Sequence, residues 1–209
     1  MAALRATSAS RWTTLVLALA LALAGCGKAP KLERLPGDAV VLAFGDSLTY
    51  GTGAAEEESY PAQLEQLIGR RVVRAGVPGE VTAQALERLP AALDKHAPRL
   101  LLLCIGGNDF LRRAGNAQAE KNVRAMVKLA RSRGIGVLLI GTPEPGLLVT
   151  PPAFYAGIAE EFAVPYEAAV IGEVLRDAAL KSDPIHPNAR GYRLIAERLA
   201  AALRESGAI

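Results

Sequence analysis

Histidine and cysteine occur only twice each in the 209 residues, tryptophan once, and aromatic residues make up 5% of the chain. The two histidines, His96 and His186, lie far apart, and with Cys26 and Cys104 they cannot assemble a four-ligand zinc site. No metal and no organic cofactor is expected. Phosphate-binding loops are missing too: Gly51-Thr52-Gly53 is followed by Glu56 where a dinucleotide loop needs its third glycine, and no P-loop exists. Strong charge of either sign is also absent. The formal net charge is +3, and it falls to +1 once Arg5 and Arg11 in the first 25 residues are set aside. No basic stripe remains, so nucleic acid is not an expected partner.

What the chain does have in quantity is apolar side chains, 51% of its residues, enough for one globular domain with a substantial core. The N-terminus carries Arg5 and Arg11, then the apolar run Leu15 to Ala24, then small residues before Cys26. These are the three parts of an export signal, and the run is too short to span a bilayer comfortably. Leu23-Ala24-Gly25-Cys26 resembles the bacterial lipobox. That resemblance implies a lipoprotein signal peptide over 1–25, cleavage before Cys26, and lipid on its thiol. Ordinary secretory cleavage with Cys26 an incidental thiol is the plainer alternative. By the same analogy Gly27, rather than Asp, favours the outer membrane if the source is a Gram-negative bacterium. The charged, proline-punctuated residues 27–36 read as a tether, making 26–36 a lipidated linker and 37–209 the folded domain. Cys104, inside an apolar run, reads as a buried small side chain, not a reactive thiol.

Past the tether, short apolar runs alternate with amphipathic segments. Strands are expected at Ala39 to Phe44, Val72 to Ala75, Leu100 to Ile105, Val137 to Gly141 and near Ala163 to Tyr166. Helical patterns fall at about Ser59 to Ile68, Thr82 to Leu93, Ala117 to Arg133, Tyr155 to Phe162 and Asn188 to Glu205. Leu100 to Ile105 is apolar at every position, as expected of a strand covered on both faces. The reading is a three-layer α/β/α doubly wound parallel sheet in the flavodoxin-like order 2-1-3-4-5. One connection, Thr142 to Phe154, holds four prolines and is long enough to suggest a functional loop, with an irregular surface connection as the alternative.

Ser47 in FGDSLTYG follows the first expected strand, and Asn108 in GGNDF follows the third. In the order 2-1-3-4-5 those strands are neighbours flanking the switch point, where doubly wound folds bind ligands. A serine nucleophile at neutral pH needs an imidazole. His96 falls at the opposite end of the sheet, whereas His186 lies in a proline-flanked turn three residues after Asp183. One turn then presents the carboxylate to the ring. Asp46 reads as a structural residue bonding loop amides. Asn108 has an alternative reading as a helix N-cap, a role for which Asp109 competes.

These residues resemble the four ordered blocks of the SGNH (GDSL) hydrolases: GDSL at Gly45 to Leu48, AGVPGEVT at Ala75 to Thr82, GGND at Gly106 to Asp109, and DPIHP at Asp183 to Pro187. The resemblance runs from about residue 39 to 200 and is nearest the small bacterial arylesterases and thioesterase I/lysophospholipase-like enzymes. It implies a serine esterase: Ser47 attacks an ester or thioester carbonyl, His186 takes the proton, Asp183 holds the imidazole, and an acyl-enzyme forms. The backbone N–H groups of Ser47 and Gly79 and the amide of Asn108 would form the oxyanion hole. Glu80 stands where the family usually has Asp, and Pro184 where Gly is common, which bears on loop geometry. The larger α/β-hydrolase elbow is absent, since Thr49 occupies its second glycine position. Two other readings stand beside the esterase: a carbohydrate O-deacetylase, for which scarce aromatics offer little sugar-stacking surface, and a non-catalytic envelope lipoprotein. The expected enzyme is a monomer, lipid-anchored in the cell envelope on the periplasmic side, with Leu147 to Phe154 lining an acyl groove.

Overall fold

A computed structural model describes residues 30–146 and 149–209. The leader, Cys26 and Leu147 lie outside them. Five parallel strands form one sheet: β1 (Val40–Gly45), β2 (Arg71–Gly76), β3 (Leu100–Cys104), β4 (Gly136–Ile140) and β5 (Tyr166–Glu167), in the order β2-β1-β3-β4-β5. The helices are α1 (Ser47–Tyr50), α2 (Tyr60–Ile68), α3 (Thr82–His96), α4 (Gly107–Leu111), α5 (Asn116–Ser132), α6 (Phe154–Glu161), α7 (Val170–Arg176) and α8 (Ala189–Glu205). The expected doubly wound fold is therefore present.

Successive strand residues point to opposite faces, and the sheet uses both. Val41, Ala43, Leu100, Leu102, Cys104, Leu138 and Ile140 pack with residues of α2, α7 and α8. Leu42, Phe44, Leu101, Leu103, Ile105, Val137 and Leu139 pack with residues of α3, α5 and α6. Two cores on two faces explain why β3 is apolar throughout.

Several elements differ from expectation. The short helices α1, α4 and α7 carry too few residues for a readable 3.6-residue period. The edge strand β5 is displaced to Tyr166–Glu167 because Ala163 adopts φ 48° and Val164 N–H closes back onto the Ala159 carbonyl. Ser59 precedes α2 without capping it: its hydroxyl donates to the Glu56 carbonyl at 2.7 Å, ending the short turn before the helix.

Residues 31–36, read as tether, are held against the domain. Leu32 N–H donates to the Ser206 carbonyl at 2.9 Å and Leu35 N–H to the Ala208 carbonyl at 2.8 Å. Leu35 is buried in the first core, Leu32 packs against it, and Lys31 Nζ reaches the Glu205 carbonyl at 2.8 Å. The apolar pair Leu32/Leu35 supplies what the surrounding charges conceal.

Candidate active site

Ser47 begins α1 directly after β1, and Asp46 caps that helix by accepting from Leu48 N–H at 3.0 Å. Close backbone approach holds the segment in place. A Cβ at Gly45 would overlap the Cys104 carbonyl oxygen on β3, and one at Gly76 would overlap Tyr50 N where α1 crosses β2. Ser47 therefore sits at the carboxyl end of the sheet, beside the switch point between β1 and β3.

His186 arrives from the turn before α8. Asn188 caps α8 by accepting from Arg190 and Gly191 N–H groups, and Tyr192 donates to the Thr52 carbonyl at 2.8 Å, tying the last helix to the loop after Ser47. Within the turn, Asp183 Oδ1 accepts from Ile185 N–H at 2.8 Å and His186 N–H at 2.9 Å. Its Oδ2 lies 2.7 Å from His186 Nδ1, and His186 Nε2 lies 3.0 Å from Ser47 Oγ. A carboxylate can only accept, so Nδ1 carries the ring proton and Nε2 presents its lone pair to the serine hydroxyl. Burial opposes ionisation of Asp183, but the hydrogen bonds from the His186 ring and from the Ile185 backbone outweigh it. The carboxyl is held below its ordinary value and stays charged.

Asn108 lies in the first turn of α4, whose N-terminal cap is Gly106. Its side-chain amide donates to the Glu80 carbonyl at 3.0 Å, bridging the loop after β3 to the loop after β2. The N-cap competition expected between Asn108 and Asp109 does not occur. Asp109 is buried and caps another helix: its carboxylate accepts from Thr82 N–H at 2.9 Å and Thr82 Oγ1 at 2.6 Å at the start of α3. Gly79 adopts φ +78°, a conformation disfavoured for side chains with a Cβ, while a Cβ there would meet only Arg112 Nη2 at 3.8 Å. Glycine is thus required by the backbone and not by lack of space. Among the described residues the N–H groups of Ser47 and Gly79 meet no acceptor, and both residues line the same cavity as Asn108 and His186.

That cavity has a volume of about 580 Å³. Leu48, Pro78, Leu111, Val149, Leu175, Pro184 and Ile185 contribute apolar wall, and among the described lining residues there is no Phe, Tyr or Trp. The Thr142 to Phe154 connection contributes Thr142 to Gly146 and Val149. Its far end turns away instead, because Phe154 opens α6 and stacks on Tyr155 at 4.3 Å between ring centroids.

Several residues behave as the spacing suggested and others were not foreseen. Cys104 is fully buried, with its thiol pushed far up by burial and next by the Asp46 charge, so it is no nucleophile. His96 ends α3 at the opposite end of the sheet. Asp46 does not contact the imidazole. Burial, with Glu80 and Asp109 nearby, pushes its carboxyl up to about 7 against the pull of Leu48 N–H. The pair Glu80–Arg88 was missed. Arg88 Nη2 meets Glu80 Oε2 at 2.6 Å and donates to the Ala75 carbonyl at 3.1 Å, and the guanidinium carbon lies 3.9 Å from the centroid of the Phe44 ring. It ties the Gly79 loop to β1 and β2. Its one sequence signal is the eight-residue spacing between an acid and an arginine across a helix start.

Residues 43–194 match the GDSL-like Lipase/Acylhydrolase family. The chain belongs to that family. It is 32% identical to "Esterase TesA" of Pseudomonas aeruginosa over 74% of this chain and 76% of that one. It is equally 32% identical to "Thioesterase 1/protease 1/lysophospholipase L1" of Escherichia coli strain K12, covering 78% and 83% of the two chains. Among solved structures, TesA superposes with a TM-score of 0.71 at 26% identity over 80% of this chain and 99% of that one. AlinE4, an SGNH-hydrolase family esterase, gives 0.61 at 31% identity over 82% and 98%. The chain is accordingly a GDSL-type esterase.

Proposed function

We propose that Ser47, His186 and Asp183 perform acyl transfer from small carboxylic esters and thioesters to water. The observation that carries this reading is the continuous hydrogen-bonded chain from Ser47 Oγ through the His186 ring to Asp183 on the wall of an apolar cavity. Ser47 Oγ bonds to the substrate carbonyl carbon as His186 Nε2 accepts the hydroxyl proton. The imidazolium then returns that proton to the departing alkoxide or thiolate, leaving an acyl-enzyme. Water repeats the sequence on the acyl group and regenerates Ser47. Negative charge on the tetrahedral oxygen is met by the Ser47 and Gly79 N–H groups and by the second N–H of the Asn108 amide, the first being used on Glu80. Asp183 holds the ring tautomer and compensates the imidazolium.

Short and medium acyl chains suit the leucine, isoleucine and proline walls. Among the described lining residues there is no Phe, Tyr or Trp, which offers little to a sugar and favours acyl and aryl esters over acetylated glycans. Fluorophosphonate labelling of purified protein tests the nucleophile, and a series of nitrophenyl esters and acyl thioesters alongside acetyl-xylan tests the substrate class. Labelling and ester turnover are both expected to vanish in Ser47→Ala. Labelling that survives the substitution, or turnover confined to acetyl-xylan, would overturn the reading.

We also propose that Cys26 is the lipidated first residue of the mature protein, holding the enzyme in the cell envelope. Its support is the leader and the Leu23 to Cys26 tetrapeptide; among the described residues no helix is long and apolar enough to cross a membrane. Labelled palmitate is expected to enter the full chain and not Cys26→Ser.

A further inference from the structure

The sheet has a second cavity, of about 470 Å³, at the end opposite Ser47, where the strands begin. Lys31, Arg34, Arg99 and Arg131 line it with Glu33, Leu32 and the backbone of Gly134 and Gly136. These cations come from three separate parts of the chain. The docked segment 31–36 brings Lys31 and Arg34, the turn into β3 brings Arg99, and the last turn of α5 brings Arg131. All four are exposed, and among the described residues the guanidinium groups of Arg34, Arg99 and Arg131 form no hydrogen bond or ion pair. Asp94 is taken by Arg133 at 2.6 Å, which leaves Glu33 as the carboxylate at the cavity. Lys95 and Arg71 lie beside His96 at the same end and extend the positive surface.

The N-terminal segment leaves the domain from this face. Only Gly27 to Pro30 separate Cys26 from Lys31, and even fully extended that stretch reaches at most ~18 Å. A lipid on Cys26 would therefore hold this end, and no other, within reach of the bilayer surface. We propose that the strand-start end of the domain docks on an anionic bilayer, with phosphate-bearing lipid headgroups in the Lys31/Arg34/Arg99/Arg131 cavity. The inference rests on the lipid-anchor reading for its orientation. Six strand residues of β1 then place Ser47 about 20 Å beyond the docked face, opening away from the anchoring membrane. The enzyme serves esters arriving from the aqueous side, not lipids of its own leaflet.

Among the described residues both cores fall within 30–209, the folded unit used for the test. Cosedimentation is measured with vesicles of phosphatidylcholine alone and with vesicles about a third phosphatidylglycerol, for this unit and for the triple variant Arg34→Gln, Arg99→Gln, Arg131→Gln. Each basic group near such a surface contributes roughly fivefold, so the triple variant should lose on the order of 100-fold in partitioning while nitrophenyl ester turnover is unchanged. Equal binding to neutral vesicles, or unchanged binding by the triple variant, overturns the proposal. So does displacement by millimolar inorganic phosphate, which would assign the cavity to a free anion, and so does displacement by duplex DNA in preference to the vesicles. Palmitate labelling of the full chain is read separately: its failure with vesicle binding intact would remove the anchor and leave the docking face.

Discussion

Asp46 and Asp183 are acids of opposite character a short distance from one imidazole. Asp183 is partly exposed and bonded by donors, so it remains ionised; Asp46 is buried among other acids and holds its proton to about pH 7. An acid raised on folding contributes stability that is complete below its unfolded value of 3.8 and is lost as pH rises toward about 7. The melting temperature is expected to fall across that window by an increment absent from Asp46→Asn, which cannot ionise but can still accept from Leu48 N–H. Parallel pH profiles for the two proteins would contradict this. For Asn108, replacement by alanine should lower kcat by ~10²- to 10³-fold with a much smaller effect on KM, because the amide acts on charge that develops in the transition state. A purely structural role would instead show in stability with kcat unchanged.

At the scale of elements, the loop after β2 is shaped by side chains that reach it from outside the loop. Asn108 holds the Glu80 carbonyl, Arg112 donates to the Gly79 carbonyl at 2.8 Å, and Arg88 clamps the Glu80 carboxylate. Gly79→Ala is expected to fold, given the open space at the Cβ, while losing activity through the strained φ; an active alanine variant would show that the loop tolerates the change. The start of α3 depends on Asp109 in the same way. Asp109→Ala leaves Thr82 N–H and its hydroxyl without their buried acceptor, and urea denaturation should register a loss of ~1–3 kcal/mol. These partnerships also mark the limit of what the sequence reveals. Ser47, Asn108 and the Asp183/His186 turn were legible because each follows an apolar run or sits within one turn. Asp109 to Thr82 spans 27 residues, and a carboxylate capping a helix that is not its own leaves no local pattern. The helices α1, α4 and α7 escaped notice because four to seven residues do not complete two turns.

For the whole molecule, the three-layer architecture was readable because a strand apolar on every position needs helices on both sides, while the basic end was not. Its four cations are scattered over a hundred positions of a nearly neutral chain, and only folding gathers them. The contact of residues 32–35 with 206–208 was equally hidden, since it joins the two ends of the domain. Deleting residues 206–209 removes both backbone acceptors and uncovers Leu35; the melting temperature should drop by several degrees at ~2–4 °C per kcal/mol, with residual ester turnover at low temperature. An unchanged transition would mean that the contact contributes nothing.

Ser47 and His186 stand 139 residues apart, and the histidine is positioned by α8, the last helix, packed on α2 and tied through Tyr192 to the Thr52 loop. A ribosome releases the proposed nucleophile long before its proposed base. Until residue 186 is added the nascent polypeptide therefore carries a serine without its imidazole, and hydrolytic power waits on the seating of that turn and of α8. Products that stop before residue 186 lack that imidazole, so the order of residues along the chain serves as a safety interlock.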